Sequence, residues 1–384
     1  MIILNAKIIT MEGSVYENGF LSAENGVITA IGPMEEAPPA GQEVIDAKGA
    51  MLLPGFVDAH CHIGMWEDGL GFEGDDGNED TDPVTPHLRA LDAVNPMDKC
   101  FQEACEAGVT SVITGPGSAN AISGCLMAMK TTGRQIDKMV LKEPVAMKMA
   151  LGENPKSTYH GKNQAPVTRM ATAALIREQL FKARKYWEQL RRAAADDELD
   201  EPEYDFKCEA LIPVLKKEIP VHIHAHRADD IFTAIRLCRE FDLDYVLIHC
   251  TEGHLIAEEL KEANPRIVIG PILCDRSKPE LKNHTPANGG VLYRAGLDFA
   301  ICTDHPVIPA QYLPLSAGVC VRDGLPYEKA LESITIIPAR ICGIDDRVGS
   351  LAVGKDADFS VFSADPLSVY SRPDMVFVSG KRVK

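Results

Sequence analysis

The chain has 384 residues, of which 45% are hydrophobic and 25% are charged, as in ordinary globular proteins. Its net charge of −17 excludes the broad basic surface that nucleic acids and anionic membranes require, so we expect neither as a partner. The 11 cysteines show no paired framework, and the first residues show no signal-peptide order. We therefore expect reduced thiols and a cytoplasmic location.

Both ends of the chain are rich in predicted strands and turns. Residues 1–53 contain three such stretches, and the Asn25-Gly26 pair in "ENGVITAIG" indicates a β-hairpin. Residues 349–384 alternate short apolar runs with glycine and aspartate in the same way. We predict that 1–53 and 349–384 pair to form one small β-sandwich domain.

The middle of the chain, residues 54–348, alternates apolar strand-like runs with helical patterns. This alternation predicts a (β/α)8 TIM barrel, an α/β fold. A doubly wound open sheet is the alternative, but no G-x-G-x-x-G follows the first strand to favour it. The predicted strands, the second of which is weak, are 55–62, 88–94, 108–115, 144–152, 220–226, 245–250, 266–273 and 297–304.

Two segments depart from this alternation. Residues 65–83 are acidic and glycine-rich, which is typical of either an active-site lid or a solvated loop. Residues 175–206 predict a long charged helix that ends in an acidic turn and lies exposed or at a subunit contact. We expect a homo-oligomer.

Histidine or aspartate ends four of the predicted strands. His60 and His62 follow the first apolar run, and residues two apart on a strand point to the same side. "VHIHAH" carries three more histidines, His249 ends "YVLIHC", and Asp304 ends "LDFAICTD". A single histidine at a strand end is usually structural. Four such strands meeting at the C-terminal rim of one barrel predict a metal site.

These motifs, in this order, resemble the amidohydrolase superfamily. The resemblance rests on His-x-His in "PGFVDAHCH", single histidines ending two middle strands, and aspartate in "TDHP". It extends to "GSLAVGKDADFSVF", which is similar to the segment that closes the second domain of many of these enzymes. Within the superfamily the chain looks closest to the imidazolonepropionase-like and prolidase-like branch.

The resemblance implies a set of metal ligands. His60 and His62 would hold the more buried ion, and His224 and His249 would hold a second. Asp304 would bind the first ion and act as the catalytic proton acceptor. Histidine and carboxylate ligands suit Zn²⁺, as one or two ions, with Mn²⁺ or Fe²⁺ as alternatives.

Two-ion members of the superfamily bridge their metals with a carboxylated lysine, and Lys148 in "AMKMALGENPK" is the candidate here. An unpaired lysine in an apolar strand is costly, and desolvation lowers its pKa toward the reactive neutral amine. Glu153, and more weakly Glu143, are rival bridging groups. If none of them bridges, Lys148 would be ion-paired inside the barrel and the protein would hold one ion.

The resemblance implies hydrolysis of a C–N bond in a small amide or cyclic amide, rather than in a protein backbone. An ion-activated water would attack, and Asp304 would carry its proton to the leaving nitrogen. A deaminase is a second hypothesis and ranks lower, because such enzymes have a glutamate after the fifth-strand histidine, whereas "HAHRADDI" has only Asp229 and Asp230 at a different spacing. A non-catalytic scaffold is a third, and the retained ligand set argues against it. Predicted substrate or outer contacts are His226, Arg227, Glu153, Tyr159 and His305.

Overall fold

The computed structural model describes residues 1–39 and 43–384. The strands of these ranges are β1 Ile2–Ile9, β2 Val15–Glu24, β3 Val27–Pro33, β4 Val44–Asp46, β5 Met51–Pro54, β6 Phe56–Cys61, β7 Val109–Thr114, β8 Ile122–Lys130, β9 Val140–Ala150, β10 Val221–Ala225, β11 Tyr245–His249, β12 Arg266–Ile269, β13 Ala300–Ile301, β14 Phe359–Phe362, β15 Met375–Val378 and β16 Lys381–Arg382. The helices are α1 Lys99–Glu106, α2 Glu153–His160, α3 Arg169–Ala193, α4 Phe206–Leu215, α5 Ala228–Glu240, α6 Ala257–Ala263, α7 Asn288–Arg294, α8 Leu313–Arg322, α9 Tyr327–Glu332 and α10 Ile336–Cys342. In the part of the chain that the structure describes, every helix is too short or too polar to traverse a lipid bilayer.

The terminal segments share one mixed sheet. Its strand order is β16-β15-β14-β5-β1-β2-β3, and β4 pairs with β1. Hydrogen bonding thus joins both ends in a single sheet, where the sequence predicted a sandwich. The hairpin between β2 and β3 turns at Asn25 and Gly26, whose φ angles are +50° and +84°. Two positive φ values are what a type I′ turn requires, and Asn-Gly supplies them at low cost.

The eight strands β6 to β13 form the second sheet in sequence order. All pairs are parallel except those of β8, which runs antiparallel to both β7 and β9. At the C-terminal ends, the Asp304 N–H donates to the His60 carbonyl at 3.1 Å and the His62 N–H donates to the His305 carbonyl at 2.8 Å. The last strand is therefore joined to the first at the rim where the predicted ligands lie.

One predicted strand of this sheet is wrong. Residues 88–94 contain a short 3₁₀ turn at Ala90–Asp92 and a single bridge from Arg89 to Cys125 of β8, and the strand that lies between β7 and β9 is β8. Its sequence, "ISGCLMAMK", is poor in β-branched and aromatic residues and therefore carries a weak strand signal. It includes Gly124 at φ +140°, where an added Cβ would lie 2.5 Å from the Leu88 carbonyl oxygen. Packing, rather than local preference, makes this segment a strand.

The other predicted elements are close to those observed. The helix predicted in 175–206 is α3, which begins earlier and ends at Ala193, before the acidic residues. The remaining predicted strands correspond to β6, β7 and β9 to β13, although β13 is only two residues long. The proposed domain division at residues 53/54 and 348/349 stays a prediction.

Gly55, between β5 and β6, holds the two sheets close together. A Cβ at this position would lie 2.8 Å from the Cβ of Thr110 and would also overlap its hydroxyl. We expect Gly55→Ala to lower the free energy of unfolding by about 1–3 kcal/mol, because neither backbone can shift freely. Chemical denaturation checks this. Gly161→Ala is the control, because the nearest atom to an added Cβ there is 3.6 Å away; an equal loss in both variants would contradict the packing argument.

Candidate functional site

The first cluster of candidate ligands forms where β6 meets the segment after β13. The distance from His62 Nε2 to Asp304 Oδ1 is 3.2 Å, and that from His60 Nε2 to the same oxygen is 3.8 Å. Donors bound 2.0–2.2 Å from a tetrahedral zinc ion lie about 3.3–3.6 Å apart. The three side chains are thus spaced as metal ligands would be.

The second cluster comes from neighbouring parallel strands. His224 and His226 lie at the end of β10, His249 ends β11, and one ring nitrogen of each lies within 4.8 Å of the others. His226 therefore joins the two histidines that the sequence assigned to a second ion. His222, the first histidine of "HIHAH", lies deeper and is fully buried.

Hydrogen bonds fix the orientation of these rings. His62 Nδ1 lies 2.7 Å from the Gly115 carbonyl oxygen, and His249 Nδ1 lies 2.7 Å from that of Gly270. A carbonyl only accepts, so Nδ1 carries the proton and Nε2 keeps a free lone pair. His224 Nδ1 is hydrogen-bonded with Ser118 Oγ at 3.0 Å, and its buried Nε2 has no partner. The Nε2 atoms of His62, His249 and His224 are thus oriented and free to bind a metal ion.

Burial favours the neutral form of four histidines of the two clusters. Burial lowers the pKa of His249 to about 4, and it holds the pKa values of His60, His224 and His226 well below the usual range. Burial opposes ionisation of Asp304, but the His249 and His62 rings outweigh it and lower the pKa of that carboxyl. Neutral imidazole and ionised carboxylate are the forms that bind metals.

Lys148 lies directly beside the first cluster. It is fully buried in β9, and its Nζ lies 2.9 Å from His60 Nε2, rather than beside a carboxylate. Burial lowers the pKa of the Lys148 ammonium to about 8. The structure therefore brings Lys148 to the ligands that it was expected to join.

The other predicted contact residues are placed differently. Tyr159 is fully buried and donates to Asn120 Oδ1 at 2.6 Å, so it does not reach the cleft. Arg227 forms two hydrogen bonds with the carboxylate of its neighbour Asp229. His305 is buried, and its Nδ1 accepts from the Ala310 N–H at 3.3 Å.

Glu153 also points away from the bridging position that the sequence allowed for it. It begins α2, and its Oε2 accepts a hydrogen bond from the Glu280 N–H at 3.1 Å. That contact ties it to the segment after β12. Lys148, in contrast, contacts His60 directly.

A cleft of about 330 Å³ opens over the two clusters. It is reached by His62, His224 and Asp304 and is bordered by Trp66 and Asn78 of the 65–83 segment. That segment therefore forms one side of the cleft, as a lid would; its closure stays a hypothesis. Cavities of about 380 and 400 Å³ lie elsewhere, but neither is lined by these histidines, so the chemistry favours the smaller cleft.

Three polar residues at the site were not identified from the sequence. Ser118 orients His224, Lys278 borders the cleft, and Glu280 is buried beside the second cluster. Ser118 follows β7 in "GPGSANA", and a polar loop at a strand end was an available signal. Glu280 lies in "DRSKPELKN", whose place after the seventh predicted strand allows the segment to face the pocket, but no local pattern distinguishes Glu280 within it.

Comparison with known proteins supports the family resemblance. The Amidohydrolase family model matches residues 51–383. Amidohydrolase tasK of Hapsidospora irregularis is 33% identical over 388 residues, covering 94% of this chain but only 39% of that protein's length. The imidazolonepropionase of Maricaulis maris is 24% identical over 382 residues, covering 91% of this chain and 88% of that one.

A solved structure extends the agreement to the whole chain. The crystal structure of an amidohydrolase from Thermotoga maritima MSB8 superposes with a TM-score of 0.95 at 40% identity, covering 100% of this chain and 99% of that chain. The resemblance inferred from the strand-end motifs is confirmed. The chain belongs to the amidohydrolase family.

Proposed function

We propose that this protein is a metal-dependent hydrolase that cleaves a C–N bond in a small amide or cyclic amide. The observation that carries the proposal is the convergence of two histidine clusters, with Asp304, on one cleft above buried Lys148. The cleft volume of about 330 Å³ suits a small molecule rather than a folded protein substrate.

The residues present fit divalent ions. His224 Nε2 is buried without a hydrogen-bond partner, which is costly unless an ion satisfies it. Imidazole nitrogens with a carboxylate are a donor set that zinc prefers, and we propose Zn²⁺, with Mn²⁺ or Fe²⁺ as alternatives. His60, His62 and Asp304 would hold one ion, His224 and His249 a second, and carboxylated Lys148 would bridge them.

The chain's own groups account for the proton movements. A bound divalent ion supplies a lowered water pKa and a polarised substrate carbonyl. Asp304, ionised and 3.2 Å from His62 Nε2, accepts the proton of the attacking water and delivers it to the leaving nitrogen. His62 is itself fixed by the Gly115 carbonyl, so its Nε2 stays directed at the same place as Asp304.

Metal content tests the proposal first. We expect close to two ions per chain on protein purified without chelator. His60→Ala and His62→Ala should each lose at least one ion, because each removes a metal ligand that no neighbouring side chain replaces. Elemental analysis by mass spectrometry measures this. His160→Ala is the control, because His160 is an exposed histidine at the end of α2.

A substrate panel then tests the reaction. N-acyl amino acids, lactams, cyclic ureas and amino-substituted rings would be assayed for amine, acid or ammonia release. Hydrolysis of an amide that disappears in His60→Ala supports the proposal. Ammonia released only from amino-substituted rings would favour the deaminase instead. A chain that binds no ion under any loading condition would refute metal-dependent hydrolysis and favour the non-catalytic scaffold.

A further inference from the structure

Glu280 is a buried carboxylate that lies beside the second histidine cluster without a role in the predicted ligand set. Its side chain is completely shielded from solvent, and its Oε1 lies 3.6 Å from His224 Nε2 and 3.6 Å from His226 Nε2. Glu280 Oε1 is paired with the Lys278 ammonium, 2.6 Å away, whereas the buried His224 Nε2 has no hydrogen-bond partner. A buried imidazole nitrogen without a donor and the buried carboxylate oxygen that faces it are a pair of acceptors that a bound cation would satisfy.

The backbone holds Glu280 in this position. Its Oε2 accepts from the Glu153 N–H at 3.1 Å, and its own N–H donates to Glu153 Oε2 at 3.1 Å. This reciprocal pair joins the segment after β12 to the start of α2. With Oε2 engaged in this way, Oε1 is directed at the histidines, and the carboxylate cannot turn to solvent.

We propose that His226 and Glu280 are additional ligands of the second cluster's ion, giving it the protein ligands His224, His226, His249 and Glu280. The 3.6 Å separations agree with the roughly 3.3–3.6 Å between donors of a tetrahedral zinc ion. This inference rests on the proposed function, since it assumes that the second cluster binds an ion. It assigns His226 to the metal rather than to substrate.

The two clusters would then have different roles. Apart from the shared Lys148 bridge, the second ion would then have four protein ligands and the first would have three, and a smaller set leaves more room for water or substrate. The first cluster supplies three donors, and two of them, His62 and Asp304, line the cleft, whereas His224 lines it from the second. We therefore assign substrate-facing chemistry to the first cluster and a firmly retained ion to the second.

The Lys278 ammonium would compete with a metal ion for Glu280 Oε1. Its Nζ lies 2.6 Å from Glu280 Oε1 and donates to Asn154 Oδ1 at 2.9 Å. The Lys278 side chain is 31% exposed, whereas that of Glu280 is 0% exposed. The lysine can therefore swing toward solvent when an ion arrives, while the glutamate stays. Removing the ammonium should tighten ion binding.

Cobalt(II) titration of metal-free protein tests this inference, with Zn²⁺ competition and a chelator to measure each affinity. We expect Glu280→Gln to lower the affinity for one of the two ions by at least roughly tenfold. It should also change the visible absorption of the cobalt ion at that site. Lys278→Met should bind the same ion as tightly as wild type or more tightly. Glu258→Gln, at an exposed glutamate of α6, is the matched control.

The outcomes separate this inference from the proposed function. Two ions in wild type, with unchanged affinities and spectrum in Glu280→Gln, would overturn the Glu280 assignment and leave the hydrolase intact. No ion in wild type would overturn both. Glutamine keeps an oxygen that can accept from the Glu153 N–H, and circular dichroism of the metal-free variant verifies its fold. A Lys278→Met protein that loses the ion would also count against Glu280 as a ligand.

Discussion

Asp304→Asn is expected to lower turnover of the amide found in the substrate panel by about 10²–10⁴-fold. The carboxylate lies 3.2 Å from His62 Nε2 and reaches the cleft. Although burial opposes ionisation, the His249 and His62 rings lower the pKa of Asp304, so it is a charged acceptor at neutral pH. Asparagine keeps the shape and an oxygen ligand but cannot take a proton.

Steady-state kinetics at matched metal content check this prediction. Metal per chain must be measured on the same samples, because Asp304 is also a proposed ligand. Asp304→Ala separates the two roles, since we expect it to lose an ion as well as turnover. An asparagine variant that is fully loaded and turns over within about tenfold of wild type would exclude Asp304 as the proton acceptor.

Lys148→Met is expected to have two opposite effects. It should remove the bridging group and reduce bound metal from about two ions to one, measured by elemental analysis. In metal-free protein it should instead raise the free energy of unfolding. An ammonium at this fully buried position beside His60 is destabilising, and methionine fills a similar volume without charge.

The stability effect depends on pH in a defined direction. Burial lowers the pKa of Lys148 from 10.5 to about 8, so the unfolded chain binds a proton more tightly than the folded one. The resulting cost, about 3 kcal/mol at 1.36 kcal/mol per pKa unit, is fully present below pH 8. It declines between pH 8 and pH 10.5. The advantage of Lys148→Met should therefore be largest near pH 7 and shrink at higher pH.

Lys130→Met is the matched control for Lys148. Lys130 is also a buried lysine, but its Nζ pairs with Asp356 at 2.6 Å and Asp358 at 3.0 Å. Removing it leaves Asp358 without a cation and Asp356 with Arg347 alone, which is destabilising, and should not change metal content. Chemical denaturation from pH 7 to 10 compares the two variants. A Lys148→Met protein that is less stable than wild type at pH 7 would contradict the desolvation argument.

Strand-end chemistry was predictable because it depends on short-range order along the chain. Apolar runs that end in His60, His62, His249 or Asp304 identify strands and place polar groups at their C-terminal ends. The alternation of strands and helices indicates which ends share a rim. Lys148 was predictable for the same reason, as a charge within an apolar strand.

Features that depend on contacts distant in sequence were not predictable. The antiparallel strand β8 replaces a weakly predicted strand at 88–94, because packing between β7 and β9 overrides its low β-propensity. Tyr159 was expected to contact the substrate, yet it lies in α2, which buries it against Asn120. Periodicity reports which side of an element a residue occupies, but it does not report what lies opposite.

The sequence by itself determined the family, the alternating architecture and the core of the site, because these follow from local patterns that repeat at strand ends. Only the tertiary structure decided that His226 joins the second cluster and that Glu280 lies 3.6 Å from it. That contact requires the segment after β12 to be bonded to the start of α2 through Glu153. The path of a loop is set by such long-range hydrogen bonds, and no nearest-neighbour pattern in the chain encodes them.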